Sequence, residues 1–421
     1  MPVKILLISP IGLKKILGAD FFFKLPFLGL PTIAAHTPPD CTVKMVDERI
    51  SPVDFSDDAD LIGISVMTPL ATRAYELADE FKRRGRTVVM GGMHVSALPE
   101  EALEHCDAVA IGEGEKVWPQ MVKDFQGGKL KEIYQADALF DLGMSLPPRW
   151  DIIDKSLYSP VDFIETTRGC PINCNFCAVT QYYGAKYRTK PVHLVEEMVA
   201  RVRPVDRVFA LKNLIFFVDD NIIANRKHCL ELLNMLKSYN IQWVGQASVG
   251  VAKDDELMQL MSETRCLGLF IGMESLSEDA LAECGKRINK PAEYVIGFDN
   301  DDISIFPRME KFIRRSNFDS LFLSILTPYP GTRFYQKIEK EGRLLHKDWQ
   351  RYDTSHVVFQ PKKMTPEQLH EGYILLYKKA LSMKCIVLRL ARARTNPQFF
   401  GPSNMAFRSC LFKMLRANKA I

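Results

Sequence analysis

The chain has 421 residues, more than one hydrophobic core normally organises, so two domains with additional segments are expected. Charged residues make up 25% and hydrophobic residues 47%, which is typical of a globular protein, and a net charge of +4 is too small to indicate nucleic-acid binding. Ten cysteines are too dilute for a disulfide scaffold. Neither a signal peptide nor an apolar stretch of membrane-spanning length is evident, and a cytoplasmic location is therefore expected.

Residues 1–126 alternate short apolar runs with amphipathic segments such as Ala71–Arg84, which predicts a doubly wound, Rossmann-like parallel sheet. Continuous apolar runs are typical of strands that are buried on both faces. The predicted strands are Val3–Ser9, Cys41–Val46, Leu61–Val66, Thr87–Met90 and Ala108–Ile111. Residues 127–160 are rich in Gly, Pro and mixed polar residues and are predicted to form a linker.

Small and polar residues stand at the ends of three of these strands, where open parallel sheets bind their ligands. The candidate binding residues are Ser65, Thr68, Gly91, Gly92, His94, Gly112, Glu113 and Gly114. No GxGxxG opens a helix here, which disfavours a dinucleotide. The alternative is a Rossmann-like domain without a ligand, in which a lone loop histidine such as His94 is structural.

Residues 161–333 carry a second series of strands and helices, which predicts a partial or full parallel (β/α) barrel with its chemistry at the carboxyl ends of the strands. Its predicted strands are Phe163–Thr167, Leu214–Val218, Trp243–Ser248, Leu267–Gly272, Tyr294–Phe298 and Leu321–Leu326. Residues 334–421 are predicted to be mainly helical, with one helix starting at Thr365.

Three cysteines, Cys170, Cys174 and Cys177, follow the first barrel strand with the spacing CxxxCxxC. Iron-sulfur clusters normally take four cysteine ligands, so three without a fourth close by indicate a 4Fe-4S cluster with one iron open to another ligand. Structural zinc is the alternative, but zinc requires four protein ligands and often uses two separated pairs. No second pair is present in the sequence.

Polar residues also end the next three barrel strands. The candidates at this rim are Asp219, Asp220, Asn221, Gln246 and Glu274. Helix capping, a solvated loop or a charge paired within the barrel is the alternative for each of them.

Several motifs together resemble the cobalamin-dependent radical S-adenosylmethionine (SAM) family. They are CxxxCxxC with an aromatic residue before the last cysteine, GxES at 272–275, TPYPGT at 327–332 and GGxHxSxxPEE at 91–101. The resemblance implies a radical SAM barrel after a cobalamin-binding domain. It places SAM beside the rim candidates of the barrel and cobalamin beside the candidates of the first domain.

The resemblance implies that the reduced cluster cleaves SAM to a 5'-deoxyadenosyl radical, and that a methyl group is transferred to an unactivated carbon of a hydrophobic metabolite, lipid-like or tetrapyrrole. A reductant such as flavodoxin or ferredoxin is implied as a partner. A related cyclase, rearrangement or oxygenation enzyme is one alternative. A non-catalytic iron-sulfur or cobalamin-binding protein is another.

Two departures from the resemblance bear on these expectations. The DxHxxG motif that supplies a histidine to cobalt in other cobalamin domains is absent, because none of the eight histidines has Asp two residues before it. The crossover Leu276–Glu293 is short compared with the family, with one helix predicted at Ser277–Gly285 and a turn at Lys286–Pro291. This short crossover places the closure of the barrel near its fifth strand in doubt.

The segment from Lys384 to the end of the chain contains eight Lys or Arg residues and no Asp or Glu. Within it, Cys385–Arg394 combines apolar and cationic residues at near-helical spacing. Such a segment can lie on an anionic membrane surface. The alternative is a solvated helix that packs on the barrel.

Overall fold

The computed structural model describes residues 2–12, 24–202, 213–276, 281, 293–316, 318–392 and 397–417. The first domain is built on a six-stranded, wholly parallel sheet in the order β2-β1-β3-β4-β5-β6. The strands are β1 Lys4–Ser9, β2 Thr42–Asp47, β3 Leu61–Ser65, β4 Thr87–Gly91, β5 Ala108–Ile111 and β6 Ile133–Gln135.

Helices cover both faces of this sheet, which confirms the doubly wound prediction. They are α1 Gly29–Ala35, α2 Ala71–Arg83, α3 Met93–Ala97, α4 Pro99–Leu103 and α5 Gly114–Gln126. Side chains of β1 alternate between two cores: Leu6 packs with α2, and Leu7 packs with α1 and α5. Five successive residues of β1 are therefore buried, as its uninterrupted apolar run predicts.

The sheet continues into the segment that the sequence predicts to be a linker. Strand β6 pairs with β5, with Val109 opposite Ile133, so the sheet ends at Gln135 rather than within residues 1–126. Residues 136–160 then run through short 3-10 turns to the second domain.

The second domain contains another wholly parallel six-stranded sheet, and its strands follow one another in space in chain order. They are β7 Val161–Ile164, β10 Leu214–Phe217, β11 Gln242–Ser248, β12 Cys266–Glu274, β13 Glu293–Ile296 and β14 Leu323–Ile325. Two short strands, β8 Thr167–Arg168 and β9 Arg188–Thr189, pair antiparallel beside it. Within the described residues β7 and β14 form the two edges, so the predicted barrel is a partial one.

The described residues of this half of the chain also form helices, several of which pack on the outer face of the sheet. They are α6 Ala178–Tyr183, α7 Val192–Val199, α8 Arg226–Leu236, α9 Asp255–Glu263, α10 Ile305–Arg315, α11 Arg333–Lys340, α12 Pro366–Ala380, α13 Met383–Arg392 and α14 Pro397–Ala417. Helix α12 begins with a capping box formed by Thr365 and Gln368, which confirms the predicted helix start.

The short crossover does not interrupt the sheet. Strand β13 pairs in parallel with β12, with Gly272 opposite Glu293, and also with β14. Apart from Leu281, the helix and the turn predicted within the crossover lie outside the described residues. The fifth strand, β13, is therefore part of the sheet in spite of the short crossover.

The basic segment forms helices α13 and α14, which pack on the barrel. Ile386 and Arg389 of α13 are buried, and Arg389 donates a hydrogen bond to Asn404 of α14 at 2.8 Å. Val387 on the other side of α13 is exposed. In the part of the chain that the structure describes, none of the helices has the length and apolar character needed to cross a membrane.

Candidate active site

The three motif cysteines lie in a loop that leaves the carboxyl end of β7 through β8. Gly169, just before Cys170, has φ +86°, and a Cβ there would lie 2.6 Å from the carbonyl oxygen of Lys186. Only glycine allows so close an approach to the neighbouring backbone. The first cysteine is thus fixed directly at the strand end, as the motif predicts.

The TPYPGT turn has a structural role that the sequence left open. It starts helix α11, whose Arg333 donates to the side-chain oxygen of Asn173 at 3.0 Å and whose Phe334 N–H donates to the carbonyl of Asn175 at 2.9 Å. The ring of Phe176 meets Phe298 edge to face at 6.0 Å. Helix α11 therefore holds the loop between the first and last cysteine from the far side of the barrel.

The cysteine thiols suit a cluster better than a single ion. Burial, with smaller contributions from the nearby Asp220 and Cys170, raises the pKa of Cys177 to about 11. Cys174 is buried. Among the described residues no three His, Cys, Asp or Glu side chains surround a point where one ion could sit. In a 4Fe-4S cluster each thiolate binds a different iron, so the three need not meet at one point, and the set fits a three-cysteine cluster.

Asp219 is fully buried, and both of its carboxylate oxygens are occupied. Oδ1 accepts hydrogen bonds from the backbone N–H groups of Thr166 and Thr167 at 2.7 and 2.6 Å, and Oδ2 accepts one from the Thr166 hydroxyl at 2.7 Å. Burial raises the pKa of Asp219 to about 6, although these hydrogen bonds act to lower it. Asp219 therefore ties the end of β10 to the segment that enters the cysteine loop.

Asp220, the next residue, lies at the cavity between the two domains. Burial, followed by the charges of Asp219 and Glu165, raises its pKa to about 7. Its neighbour Cys177 is close enough for the two groups to affect each other electrostatically. Of the two adjacent carboxylates, Asp220 is the one that is available to a ligand at the rim.

The remaining rim candidates come from β10, β11 and β12. Asn221 is buried, and its side-chain oxygen accepts the Ser248 N–H at 3.0 Å, which joins the ends of β10 and β11. Gln246 lies on β11 directly opposite Phe270 of β12. Glu274 ends β12 and is buried with φ +64°, beside the register shift between β12 and β13. The structure thus brings the rim candidates to one end of the sheet.

A cavity of about 320 Å³ lies where the carboxyl ends of both sheets face each other. From the first domain it is lined by six of the eight candidate residues, and from the second by Asp220 and the segment before the cysteines. The six are Ser65, Gly91, Gly92, Gly112, Glu113 and Gly114. Its volume lies in the range of small-molecule sites.

The glycines shape the floor of this cavity. Gly92 has φ +110°, and a Cβ there would lie 2.7 Å from the carbonyl oxygen of Val66. Gly112 has φ +82°, and no atom lies within 4 Å of its missing Cβ. Strand ends without side chains leave a flat, open surface, which fits the close approach of a broad ligand such as cobalamin.

The other two candidates of the first domain, Thr68 and His94, do not line the cavity. His94 is completely buried in helix α3 and hydrogen-bonds with the Thr68 hydroxyl at 3.3 Å and the Tyr75 hydroxyl at 3.1 Å. Glu101, beside the same ring, accepts a hydrogen bond from the Trp349 indole at 2.7 Å. His94 therefore makes a structural contact near the C-terminal region, which corresponds to the structural alternative given above for a lone loop histidine.

Sequence reasoning missed an interdomain ion network formed by Glu113, Glu115, Glu165, Arg168 and Arg188. Arg168 donates to Glu113 and to Glu165, both at 2.8 Å, and also to Glu115. Arg188 contacts both oxygens of Glu113 at 2.9 and 3.0 Å. Burial alone would lower the Arg168 pKa, but Glu165 and Glu115 raise it above the usual range.

The interdomain ion network joins the cavity loop of the first domain to the residue that precedes Gly169 and Cys170. The Tyr182 hydroxyl, five residues beyond Cys177, donates a further hydrogen bond to the Gly112 carbonyl at 2.6 Å. The signal that could have predicted this contact is the charge beside both motifs: Arg168 precedes the cysteines, and Glu113 and Glu115 stand on either side of Gly114.

Comparison with known proteins identifies the two domains. Residues 14–122 match the B12 binding domain family, and residues 164–300 match the Radical SAM superfamily. The chain is therefore a radical SAM enzyme that carries a cobalamin-binding domain.

Curated relatives narrow this class. The chain is 32% identical to bacteriochlorophyllide d C-12(1)-methyltransferase of Chlorobaculum tepidum over 83% of this chain and 81% of the relative. It is 28% identical to bacteriochlorophyllide d C-8(2)-methyltransferase of the same organism over 86% and 87%. The radical SAM methyltransferase TsrM of Kitasatospora setae, solved with cobalamin and a 4Fe-4S cluster, shares the fold with a TM-score of 0.62 and 15% identity over 81% and 78%. The chain belongs to the cobalamin-dependent radical SAM methyltransferase family.

Proposed function

We propose that this enzyme transfers a methyl group to an unactivated carbon of a hydrophobic metabolite, using a 4Fe-4S cluster, SAM and cobalamin. The observation that carries the proposal is the cavity between the domains. One wall consists of the strand ends of the B12 binding domain, and the other contains Asp220 beside the cysteine loop. A cobalamin-bound group and SAM would therefore meet in one enclosed space.

We assign the cofactors to the residues that fit them. Cys170, Cys174 and Cys177 would hold the cluster, Asp220 with Gln246 and Glu274 would contact SAM, and the glycine floor would carry cobalamin. When bound, the cluster and SAM supply the radical and cobalamin supplies the methyl group.

The buried residues around these sites position them. Asp219 holds the entrance of the cysteine loop through Thr166 and Thr167, and Asn221 holds the end of β11. Arg168, neutralised by carboxylates from both domains, fixes the distance between the cysteine loop and the cavity floor. A rigid arrangement of this kind limits the geometries in which a radical could react with anything other than the substrate.

The proposal extends to the class of substrate and to the partner. The two curated relatives of Chlorobaculum tepidum are bacteriochlorophyllide d methyltransferases, so a tetrapyrrole is one candidate for this chain, and a lipid-like metabolite is the other. A flavodoxin or ferredoxin would supply the electron to the cluster in a cytoplasmic setting. Helix α13, with its exposed Val387, Lys384 and Arg392, would allow peripheral contact with an anionic membrane.

The first test is anaerobic reconstitution of the enzyme with iron, sulfide and cobalamin, followed by reduction in the presence of SAM. The wild type is expected to form 5'-deoxyadenosine, and the Cys174→Ala variant is expected to form none. Cys41→Ala is the matched control, because Cys41 lies outside the motif. Methyl transfer releases S-adenosylhomocysteine in addition, which separates it from a cyclase, rearrangement or oxygenation reaction. An intact cluster that leaves SAM uncleaved would contradict the proposal and favour a non-catalytic protein.

A further inference from the structure

The inner face of the partial barrel carries a row of aromatic side chains. On β10, Ile215 and Phe217 belong to the core formed with the outer helices, so Phe216 between them points to the inner face. On β12, Leu269 and Ile271 pack against the same outer core, and Phe270 between them also points inward.

These rings contact one another across the sheet. The centroid distances are 5.5 Å from Phe163 to Phe216, 5.7 Å from Phe216 to Phe270 and 5.9 Å from Phe270 to Phe322. Phe163 lies on β7 and Phe322 directly precedes β14. The four residues, which we call the phenylalanine row, therefore span the barrel from its first strand to its last.

The C-terminal helix α14 closes one end of the space in front of the row. Its Phe407 ring meets Phe322 edge to face at 4.9 Å. Its Phe400 occupies the room left by Gly268, with a ring atom 3.0 Å from the position of the missing Cβ. Full (β/α) barrels are filled by their own side chains, yet here Phe270 keeps 42% of its surface exposed. The inner face is thus open above α14.

The open part of the row lies on the same strands as the candidate SAM contacts. Phe270 is paired with Gln246 in the β11–β12 register, and Glu274 lies four residues further along β12. Ala247 belongs to the outer core, so its neighbour Gln246 shares the inner face with Phe270. A molecule held on the row would therefore lie within the barrel, below the rim where the radical would form.

We propose that the phenylalanine row binds a planar conjugated ring of the substrate and so determines the substrate class. This inference rests on the proposed function, which it deepens. Adjacent rings in the row are tilted by 53°, 36° and 57°, and Phe163 at one end is buried, so a ligand would contact the exposed ring of Phe270 with the partly exposed rings of Phe216 and Phe322 beside it. A conjugated ring gains offset-stacked and edge-to-face contacts there, whereas a saturated polycycle gains only burial of apolar surface.

The test measures binding without turnover. The probe is chlorin e6, a metal-free conjugated macrocycle, titrated by its own fluorescence into the reconstituted enzyme with cobalamin bound and no reductant. Phe270→Ala is expected to raise the Kd of chlorin e6 about two- to twelvefold, since an aromatic contact contributes roughly 0.5–1.5 kcal/mol and 1.4 kcal/mol is tenfold. Phe270→Tyr, which keeps the ring, is expected to bind as the wild type does. Leu375→Ala is the control, because Leu375 is an exposed apolar residue on α12 and is not part of the phenylalanine row.

Saturated 5β-cholanic acid serves as the competing ligand class. Unchanged chlorin affinity in Phe270→Ala would overturn the inference, and so would 5β-cholanic acid that binds more tightly than chlorin e6. Phe270→Leu guards against misfolding, because it keeps apolar volume and is expected to lose the same aromatic contribution. Binding of chlorin e6 that depends on Phe270 in a protein that fails to cleave SAM would support this site while refuting the proposed function.

Discussion

Replacing Glu113 by Gln would remove the central charge of the interdomain ion network. The side chain of Glu113 is only 2% exposed, and its two oxygens accept from Arg168, Arg188 and the Phe140 N–H, all within 3.0 Å. Glutamine has nearly the same shape, but its amide nitrogen would face a guanidinium donor. Among the described residues Arg188 would lose its carboxylate partner and would keep the backbone carbonyls of Phe140 and Tyr183, with at most the amide oxygen of the new glutamine.

The expected loss of stability is large because the network is buried. Removal of one partner from a buried ion pair costs about 3–5 kcal/mol, mainly because the remaining charge is left uncompensated. Arg168 keeps Glu115 and Glu165 as partners, so its loss of stability lies in the lower part of this range. Among the described residues Arg188 has no carboxylate partner other than Glu113, so its loss is larger. We therefore expect the free energy of unfolding to fall by about 3 kcal/mol or more.

The assay is equilibrium unfolding in urea, followed by far-ultraviolet circular dichroism on anaerobically prepared protein. Since Glu113 joins the two domains, we also expect one cooperative transition to separate into two. Glu132→Gln is the matched control: Glu132 is exposed on the same domain, and its substitution is expected to change stability by less than about 0.5 kcal/mol. A Glu113→Gln variant as stable as this control would refute the assigned role of the network.

Two further substitutions test the carboxylates at the rim. Asp219→Asn puts an amide nitrogen in place of the carboxylate oxygen that accepts a hydrogen bond from the Thr166 hydroxyl. We expect the free energy of unfolding to fall by about 1–3 kcal/mol and the iron content after reconstitution to fall as well. A variant with wild-type iron content and wild-type stability would contradict this role. The pKa of Asp220 is about 7 in the folded state against an ordinary 3.8. Between these two pH values the folded state holds a proton that the unfolded state has released, so the free energy of unfolding falls as the pH rises from 3.8 to about 7. Asp220→Asn lacks this loss, and its stability relative to the wild type should therefore increase from pH 5 to pH 8 and then level off; parallel profiles would show that Asp220 does not titrate there.

Most of the fold could be predicted because parallel strands have a strong sequence signal. Buried strands such as β1 appear as uninterrupted apolar runs, and every predicted strand of both sheets is present. Strand β6 was missed, since Ile133–Gln135 is a three-residue edge strand with two exposed side chains and no apolar pattern. Short edge strands are defined by their pairing rather than by their own composition.

The site was predictable only where a motif is local in sequence. The cysteine spacing and the glycine-rich strand ends are visible in short windows, and the structure places both at the strand ends as expected. The roles of Asp219 and Glu113 depend on partners more than 50 residues away, which no local pattern records. His94 was misleading for the same reason: its burial comes from Tyr75 and the distant Trp349 rather than from its own loop.

The interdomain ion network also bears on how such two-domain enzymes can diverge. Its cations and one carboxylate come from the barrel, while Glu113 and Glu115 come from the first domain. A chimaera that took its first domain from a relative lacking either carboxylate would bury uncompensated guanidinium charge at the seam. Recombination is therefore expected to exchange the two domains together, or to replace the first domain only by one that carries both carboxylates.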